Sequence, residues 1–184
     1  MAARKPIIGV MGPGRTEVHT EPVDKHVELA LELGKQIAAH GWLLLTGGRN
    51  IGVMDAACRG AKSAGGTTIG ILPGPDAMDI SDAVDIPILT GLGSARDNIN
   101  ALSASVLVAV GMGPGTAAEV ALALKARKPV VLLATNPEAE KFFSGLAPGL
   151  LHVAGDVEGA VTHVKGLLAA QQGGAAGGAE QQQQ

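Results

Sequence analysis

The residues with the clearest chemical potential lie in the glycine-rich stretch 111–119, which reads Gly-Met-Gly-Pro-Gly-Thr-Ala-Ala-Glu. It follows the continuous apolar run 106–110, which is typical of a strand buried on both faces, and it precedes a segment with helical periodicity. A helix N-terminus presents unpaired N–H groups and the positive end of the helix dipole, and glycine lets a ligand approach the backbone closely. The stretch therefore predicts an anion site of the phosphate type.

Two further glycine-rich turns, at 12–14 and 47–52, also follow short apolar runs. In an open parallel sheet, ligands bind beyond the carboxyl ends of the strands, so we expect all three turns on one side of the sheet. The alternative for the glycines is a purely conformational role in tight turns, and for Arg49 it is a solvated side chain. The ligand-contacting residues predicted in these turns are Gly12, Pro13, Gly14, Gly47, Gly48, Arg49, Asn50, Gly52, Gly113, Pro114, Gly115 and Thr116.

Two charged residues, Arg96 and Glu119, complete the predicted binding site. Arg96 lies in the first turn of a predicted helix, where its charge opposes the helix dipole unless an anion or a carboxylate is near, and this favours a functional role. Glu119 ends the sequence Thr-Ala-Ala-Glu, which is equally consistent with a capping box at a helix start. Asp97 ends the similar sequence Ser-Ala-Arg-Asp, and there we favour capping.

The elements that must position these residues alternate between apolar strands and amphipathic helices. This alternation predicts an α/β fold, a Rossmann-like doubly wound parallel sheet with helices on both faces and right-handed crossovers. Strands are predicted at 7–11, 42–46, 67–72, 105–110, 129–133 and 150–153, with a short edge strand at 86–89 because its proline cannot donate to a ladder. Helices are predicted at 22–40, 53–62, 94–103, 116–126 and 157–169, and a loop is predicted around Phe142 and Phe143.

Composition limits the other classes of function. With 184 residues, 46% of them hydrophobic, the chain is expected to form one domain over 1–170, followed by a disordered Gly/Ala/Gln tail at 171–184. A net charge of −3 argues against nucleic acid as a partner, and the single cysteine excludes an intramolecular disulfide. The histidines lack metal-binding spacing, so no metal site is predicted. No signal sequence and no apolar run of roughly 20 residues is present, so we expect a cytoplasmic protein with no membrane partner.

Four motifs give the chain a resemblance to a known superfamily. Gly-Gly-Arg-Asn-Ile-Gly-Val-Met at 47–54, Gly-Gly-Thr-Thr-Ile-Gly-Ile-Leu-Pro at 65–73, Arg96 and the stretch 111–119 occur in the order and spacing of the Lonely Guy (LOG)-like superfamily, also called "possible lysine decarboxylase". The resemblance covers residues 6 to about 168. It implies a nucleotide-binding fold and, in the LOG enzymes, a phosphoribohydrolase activity that depends on the positions of Arg96 and Glu119.

Two departures from the LOG pattern change the functional expectation. The usual Arg-Lys pair is Arg96-Asp97 here, and the usual Pro-Gly opening of the last motif is Gly-Met at 111–112. Within the superfamily the chain is similar to the green-algal molybdenum cofactor carriers, through residues 81–88, 91–103 and 110–119. Both departures fit a carrier better than a hydrolase.

The carrier resemblance implies a protein that binds, protects and carries the molybdenum cofactor (molybdopterin) as cargo, without catalytic residues. It further implies a homotetramer and, as recipients of the cargo, molybdoenzymes such as nitrate reductase. One alternative is a nucleotide 5′-monophosphate phosphoribohydrolase of the LOG type that uses Arg96 and Glu119. Another is a nucleotide-sensing module that binds in the same pocket without cleavage.

Overall fold

A computed structural model describes residues 4–14 and 23–179 of the chain. Its strands are β1 (Ile7–Met11), β2 (Leu43–Thr46), β3 (Thr68–Leu72), β4 (Ile86–Leu89), β5 (Val106–Val110), β6 (Val130–Leu133) and β7 (Leu151–Ala154). Its helices are α1 (Val23–Ala39), α2 (Gly52–Ser63), α3 (Asp97–Ser103), α4 (Pro114–Lys125), α5 (Pro137–Leu146) and α6 (Val157–Ala179), with a 3-10 turn at Gly93–Arg96. The predicted α/β doubly wound fold is confirmed.

All seven strands form one parallel sheet in the order β4-β3-β2-β1-β5-β6-β7. The order reverses at β1, where Ile8 pairs with Leu44 of β2 on one side and with Val106 of β5 on the other. The connections from β1 and β5 leave this point toward opposite faces of the sheet, so a crevice opens beyond the carboxyl ends of these two strands.

The burial of β5 on both faces explains its unbroken apolar sequence. Val106, Val108 and Val110 pack in a cluster with residues of α1, α2 and α6. Leu107 and Ala109 pack on the opposite face in a second cluster, which contains residues of α3, α4 and α5. Because helices cover both faces, no position in β5 needs a polar side chain, and a continuous aliphatic run results.

Helix α5 replaces the loop that was predicted around Phe142 and Phe143. The helix begins at Pro137, and the Asn136 side chain caps it by accepting a hydrogen bond from the Ala139 N–H at 2.8 Å. Phe143 is buried against the sheet and Phe142 is exposed. An Asn-Pro pair at the N-cap and first helical position is a recognised helix start, so the loop prediction was wrong.

Other boundaries differ from the predictions at helix ends. Helix α6 continues to Ala179, beyond the predicted end at 169 and into the segment predicted to be disordered. The added turns contain alanine and glutamine, which favour helix, and four glycines, which disfavour it. Its last buried side chain, among those the structure describes, belongs to Leu168. Pro22 and residues 180–184 lie outside the described residues. None of the described helices is long and apolar enough to cross a membrane.

Candidate ligand-binding site

A cavity of about 660 Å³ opens at the carboxyl ends of the central strands, where the strand order reverses. Its volume falls within the range of roughly 300–1,000 Å³ that is usual for small-molecule sites. The turns after β1, β2, β5 and β6 line it, together with the 3-10 turn and the starts of α2, α3 and α4. The prediction that the glycine-rich turns meet on one side of the sheet is confirmed.

Most of the predicted site residues line this cavity. Those that do are Gly12, Pro13, Gly14, Gly47, Arg49, Arg96, Gly113, Pro114, Gly115, Thr116 and Glu119. Gly48, Asn50 and Gly52 belong to the same turn as Gly47 but do not line the cavity. Asn50 is exposed, and its backbone N–H donates a hydrogen bond to the Asp79 carbonyl at 2.7 Å.

The two glycines outside the cavity, Gly48 and Gly52, are required by the backbone conformation and the packing of the turn. Gly48 and Gly52 have φ values of +75° and +56°, in the left-handed region that disfavours side chains. A Cβ on Gly48 would lie 2.9 Å from Cα of Gly70, and one on Gly52 would lie 2.7 Å from the Gly14 carbonyl oxygen. At these two positions the geometry supports a conformational role in a tight turn, the alternative to ligand contact.

The start of α4 forms a donor-rich end of the cavity. Gly113 is the N-cap residue, has extended backbone and offers no side-chain cap, so the N–H groups of Gly115 and Thr116 lack intrahelical partners. Thr116 is only 2% exposed, and its buried hydroxyl has no hydrogen-bond partner among the described residues. A Cβ on Gly115 would meet nothing within 4 Å. The arrangement suits an anion that accepts hydrogen bonds from backbone and hydroxyl donors.

The capping interpretation of Glu119 was wrong. Because Pro114 occupies the first helical position, Thr116 lies inside the first turn of α4 and Glu119 lies one turn further along. The Glu119 carboxylate instead accepts hydrogen bonds from Asn100 Nδ2 at 2.7 Å and from Arg96 Nη1 at 3.5 Å. Glu119 is thus tied to α3 across the cavity wall.

The capping interpretation of Asp97 was also wrong. The 3-10 turn has Leu92 at its N-cap position and α3 has Arg96, and neither helix start has a side-chain cap. The Asp97 carboxylate forms an ion pair with Arg96 Nη1 at 3.3 Å. Gly93, Ser94 and Asp97 all line the cavity, as does the glycine-rich start of α4. The two segments therefore border the same cavity although they are separate in the sequence.

Arg96, Asp97 and Glu119 form a mostly buried charge cluster, with side chains 12%, 13% and 7% exposed. The guanidinium lies directly over Gly47, where a Cβ would be 2.6 Å from Arg96 Nη1. Burial raises the pKa of Glu119 to about 7; the Asn100 hydrogen bond opposes this rise, the Asp97 charge adds to it, and the Arg96 charge opposes it. Burial likewise raises the pKa of Asp97, against the lowering effect of Arg96.

Several cavity residues were not predicted from the sequence. His26 of α1 is buried, contacts the Ala134 carbonyl through Nε2 at 3.2 Å, and covers Gly111. Met54 supplies apolar surface beside Met112 of the glycine-rich stretch, whose position near the cavity follows from the sequence, and Asn136 and Pro137 bring the start of α5 to the rim. Of the residues that were not predicted, only the Asn-Pro pair carried a sequence signal for its position. Among the described residues, no group of His, Cys, Asp or Glu is arranged to hold a metal ion.

A doubly wound parallel sheet with a cavity at its switch point defines this chain as a Rossmann-like α/β protein. More specifically, the chain matches the SLOG cluster4 family over residues 5–161 and belongs to that family. The family assignment agrees with the superfamily resemblance carried by the glycine-rich motifs, which is confirmed.

Two solved structures are similar over nearly their whole length. The Moco carrier protein from Chlamydomonas reinhardtii is 72% identical with a TM-score of 0.84, and the match covers 91% of this chain and 99% of that protein. The molybdenum cofactor binding protein from Rippkaea orientalis is 49% identical with a TM-score of 0.83, covering 90% and 98%. The cytokinin riboside 5′-monophosphate phosphoribohydrolase of Mycobacterium tuberculosis is 43% identical over only 47 residues, 26% of this chain and 25% of that enzyme.

Proposed function

We propose that this protein binds the molybdenum cofactor, protects it and carries it to molybdoenzymes. The observation that carries the proposal is the donor-rich start of α4, with an unpartnered buried hydroxyl, inside a cavity of small-molecule size. The 72% identity to the Chlamydomonas carrier over 99% of that protein supports the choice of ligand.

The chemistry of the cofactor fits this cavity. The molybdenum cofactor is a pterin with a terminal phosphate and a dithiolene that binds molybdenum. Backbone N–H donors at a helix N-terminus bind phosphate well, and Gly115 and Thr116 supply such donors. A flat pterin requires apolar surface, which Ile51, Met54 and Met112 supply. Enclosure between the turns shields the oxidisable dithiolene from solvent until delivery.

Carrying cargo requires release to a second protein. We propose molybdoenzymes such as nitrate reductase as recipients and a homotetramer as the assembled carrier, as the resemblance of the sequence to the carriers implies. No bond-making step is needed for this function, so the charge cluster at Arg96 is assigned to the cavity wall rather than to catalysis.

The test is an anaerobic titration of the purified protein with molybdenum cofactor, in parallel with adenosine monophosphate. We expect pterin and molybdenum to be retained at micromolar affinity or better, with no adenine released. Loss of both pterin and molybdenum on gel filtration would overturn the proposal.

A phosphoribohydrolase remains the second candidate because of one observation at Glu119. A buried carboxyl with a pKa of about 7 beside an arginine is suited to general acid catalysis near neutral pH. Steady release of free base from adenosine monophosphate or a cytokinin nucleotide would favour this candidate. If Glu119→Gln abolished that release and left cofactor affinity and stability intact, the enzymatic function would take precedence.

A further inference from the structure

One face of helix α4 borders the cavity, with hydrogen-bond donors at one end and carboxylate acceptors at the other. Thr116 and Glu119 are three residues apart on α4, so their side chains project from the same side of the helix, about 4.5 Å apart along its axis. The Thr116 end offers unpartnered donors and the positive pole of the helix dipole. The Glu119 end offers carboxylates.

At the acceptor end, two carboxyl groups contact the same nitrogen of Arg96, while the buried Nε of Arg96 has no hydrogen-bond partner among the described residues. Arg96 Nη1 lies 3.3 Å from an Asp97 oxygen and 3.5 Å from a Glu119 oxygen, so two carboxyl groups share one guanidinium. A phosphate placed here would add a further anionic group beside Asp97 and the ionised form of Glu119, with one guanidinium to compensate them in a poorly hydrated site, which is electrostatically unfavourable. A group rich in N–H donors is the complementary ligand.

Of the two carboxylates, Asp97 is the one available to a ligand. Glu119 already accepts a short hydrogen bond from Asn100 Nδ2 at 2.7 Å. Asp97 lines the cavity and accepts no hydrogen bond from the described residues beyond its longer ion pair with Arg96. Since burial raises the pKa of Asp97, its protein partners compensate the loss of hydration incompletely, and added donors would stabilise the charged form.

We propose that Asp97 recognises the pterin ring of the cargo, while the terminal phosphate binds at the start of α4. The 2-amino-4-oxopyrimidine edge of a pterin carries a ring N–H and an amino N–H side by side, and a carboxylate accepts such a pair with both oxygens, as it does from a guanidinium. This inference rests on the proposed function, and it assigns the orientation of the cofactor in the cavity.

The variant Asp97→Asn tests the orientation because the two orientations predict opposite signs. If the pterin edge lies at Asp97, replacing one acceptor oxygen with an amide donor weakens cofactor binding by at least about tenfold. If the phosphate lies there instead, removing a negative charge tightens binding. The measurement is the Kd for molybdenum cofactor under anaerobic conditions, with Asp82→Asn, an exposed aspartate outside the cavity, as the matched control.

Inorganic phosphate serves as a second probe of the same variant. We expect its affinity, measured by competition with the cofactor, to be unchanged or slightly increased in Asp97→Asn, because phosphate binds at the other end of the cavity. Wild-type protein that retains cofactor while Asp97→Asn binds equally well or better would overturn the orientation and leave the proposed function standing. Wild-type protein that retains no cofactor would overturn both.

A ligand comparison on the wild-type protein covers the case in which Asp97→Asn does not fold. The probes are a 6-substituted pterin phosphate and the corresponding lumazine phosphate, in which an oxo group replaces the 2-amino group. We expect at least about tenfold tighter binding of the pterin, since only the pterin presents both donors to Asp97. Equal affinities would contradict the inference.

Discussion

The turn after β2 and the turn after β5 are both rich in glycine, yet their glycines serve different purposes. In the β2 turn, a Cβ on Gly48 or Gly52 would collide with the backbone of Gly70 or Gly14. In the β5 turn, a Cβ on Gly113 would touch only the Pro13 ring, at 3.7 Å, and one on Gly115 would meet nothing within 4 Å. The first turn uses Gly48 and Gly52 to bring protein segments together. The second uses Gly113 and Gly115 to leave room, although its first glycine, Gly111, has a φ of +70° and packs against His26.

The two glycine-rich turns at this switch point therefore have different roles, one in packing and one in access to the cavity. In the β2 turn, Gly47 lies against Arg96, since a Cβ at position 47 would be 2.6 Å from Arg96 Nη1 and would require the guanidinium to shift. The β5 turn keeps its helix N-terminus open toward the cavity. We therefore expect substitutions in the β2 turn to lower stability and substitutions in the β5 turn to lower affinity.

The largest effect is expected for Gly52→Ala. An alanine at a φ of +56° costs about 1–2 kcal/mol, and its Cβ must displace the Gly14 carbonyl, so the free energy of unfolding should fall by about 3 kcal/mol or more. Urea denaturation measures this change. An unchanged midpoint would mean that the β2 turn is not closely packed, which would remove the contrast between the two turns.

The next largest effect is expected in the pH dependence of stability, through the buried carboxyl group of Glu119 in α4. Native Glu119 has a pKa of about 7 against an ordinary value of 4.5, so the native state binds the extra proton between these values. Stability from this group is complete below pH 4.5 and declines by roughly 3 kcal/mol as pH rises through 7. Glu119→Gln should therefore remove this decline from the pH dependence of unfolding and leave the contributions of the other shifted groups, among them a decline due to Asp97 and a rise with pH due to His152, whose pKa burial lowers.

Unfolding by urea at pH 5, 6, 7 and 8 checks this prediction for the wild type and for Glu119→Gln. The same slope in both proteins would show that Glu119 is ionised throughout this range. In that case Arg96 and Asn100 outweigh the burial of Glu119, and the acceptor end of the cavity carries more negative charge at neutral pH.

A smaller effect is expected for Thr116→Val, which removes the unpartnered hydroxyl while preserving the shape of the side chain. Cofactor affinity should fall about tenfold, since one hydrogen bond to an anion is lost. The unfolding free energy of the ligand-free protein should stay unchanged or rise, because no protein hydrogen bond is broken. Calorimetric titration and urea unfolding give the two values.

Thr68→Val is the matched control for Thr116→Val. Thr68 is also buried, but its hydroxyl donates a hydrogen bond to the Ala83 carbonyl at 2.6 Å. This variant should lose stability by about 1–3 kcal/mol. A similar stability loss in Thr116→Val would reveal a protein partner for that hydroxyl and would weaken its assignment to the ligand.

The smallest effect on affinity is expected for Gly115→Ala. Gly115 lies in a helix with open space around it, so alanine should stabilise the protein by up to about 1 kcal/mol while its methyl group obstructs the ligand and lowers cofactor affinity severalfold. Gly145→Ala in α5 is the control, since Gly145 is equally open and lies outside the cavity. Equal affinity in both variants would contradict the open role of the β5 turn.

Much of the fold and part of the site could be predicted because their signals are local. Apolar runs located the strands to within one or two residues, since both-face burial forces an aliphatic sequence. The grouping of the glycine turns followed from parallel strands having their carboxyl ends at one edge. The helix start at Asn136 and Pro137 was equally local, but the loop interpretation of that segment overlooked it.

The rest depended on contacts that no local pattern contains. The Thr-Ala-Ala-Glu pattern suggested a cap, but Pro114 starts the helix two residues earlier and Asn100 of α3 takes the carboxylate. His26 reaches the cavity only because α1 lies near the turn after β6, 108 residues away in the chain. Spacing within one element predicts positions on that element, whereas such partners are set by how the helices pack on the sheet.

The pairing of Ile8 with Val106 has a consequence for how the protein is made. β1 emerges early in synthesis, and β2, β3 and β4 can assemble beside it on one side, while its other edge waits for a partner about a hundred residues later. Until β5 arrives, β1 has an unpaired edge, and such long-range parallel pairing is slow and prone to aggregation. In a chain whose synthesis has not reached Pro114, the start of α4 is missing, so the proposed phosphate-binding end of the cavity forms only after α4 has been made.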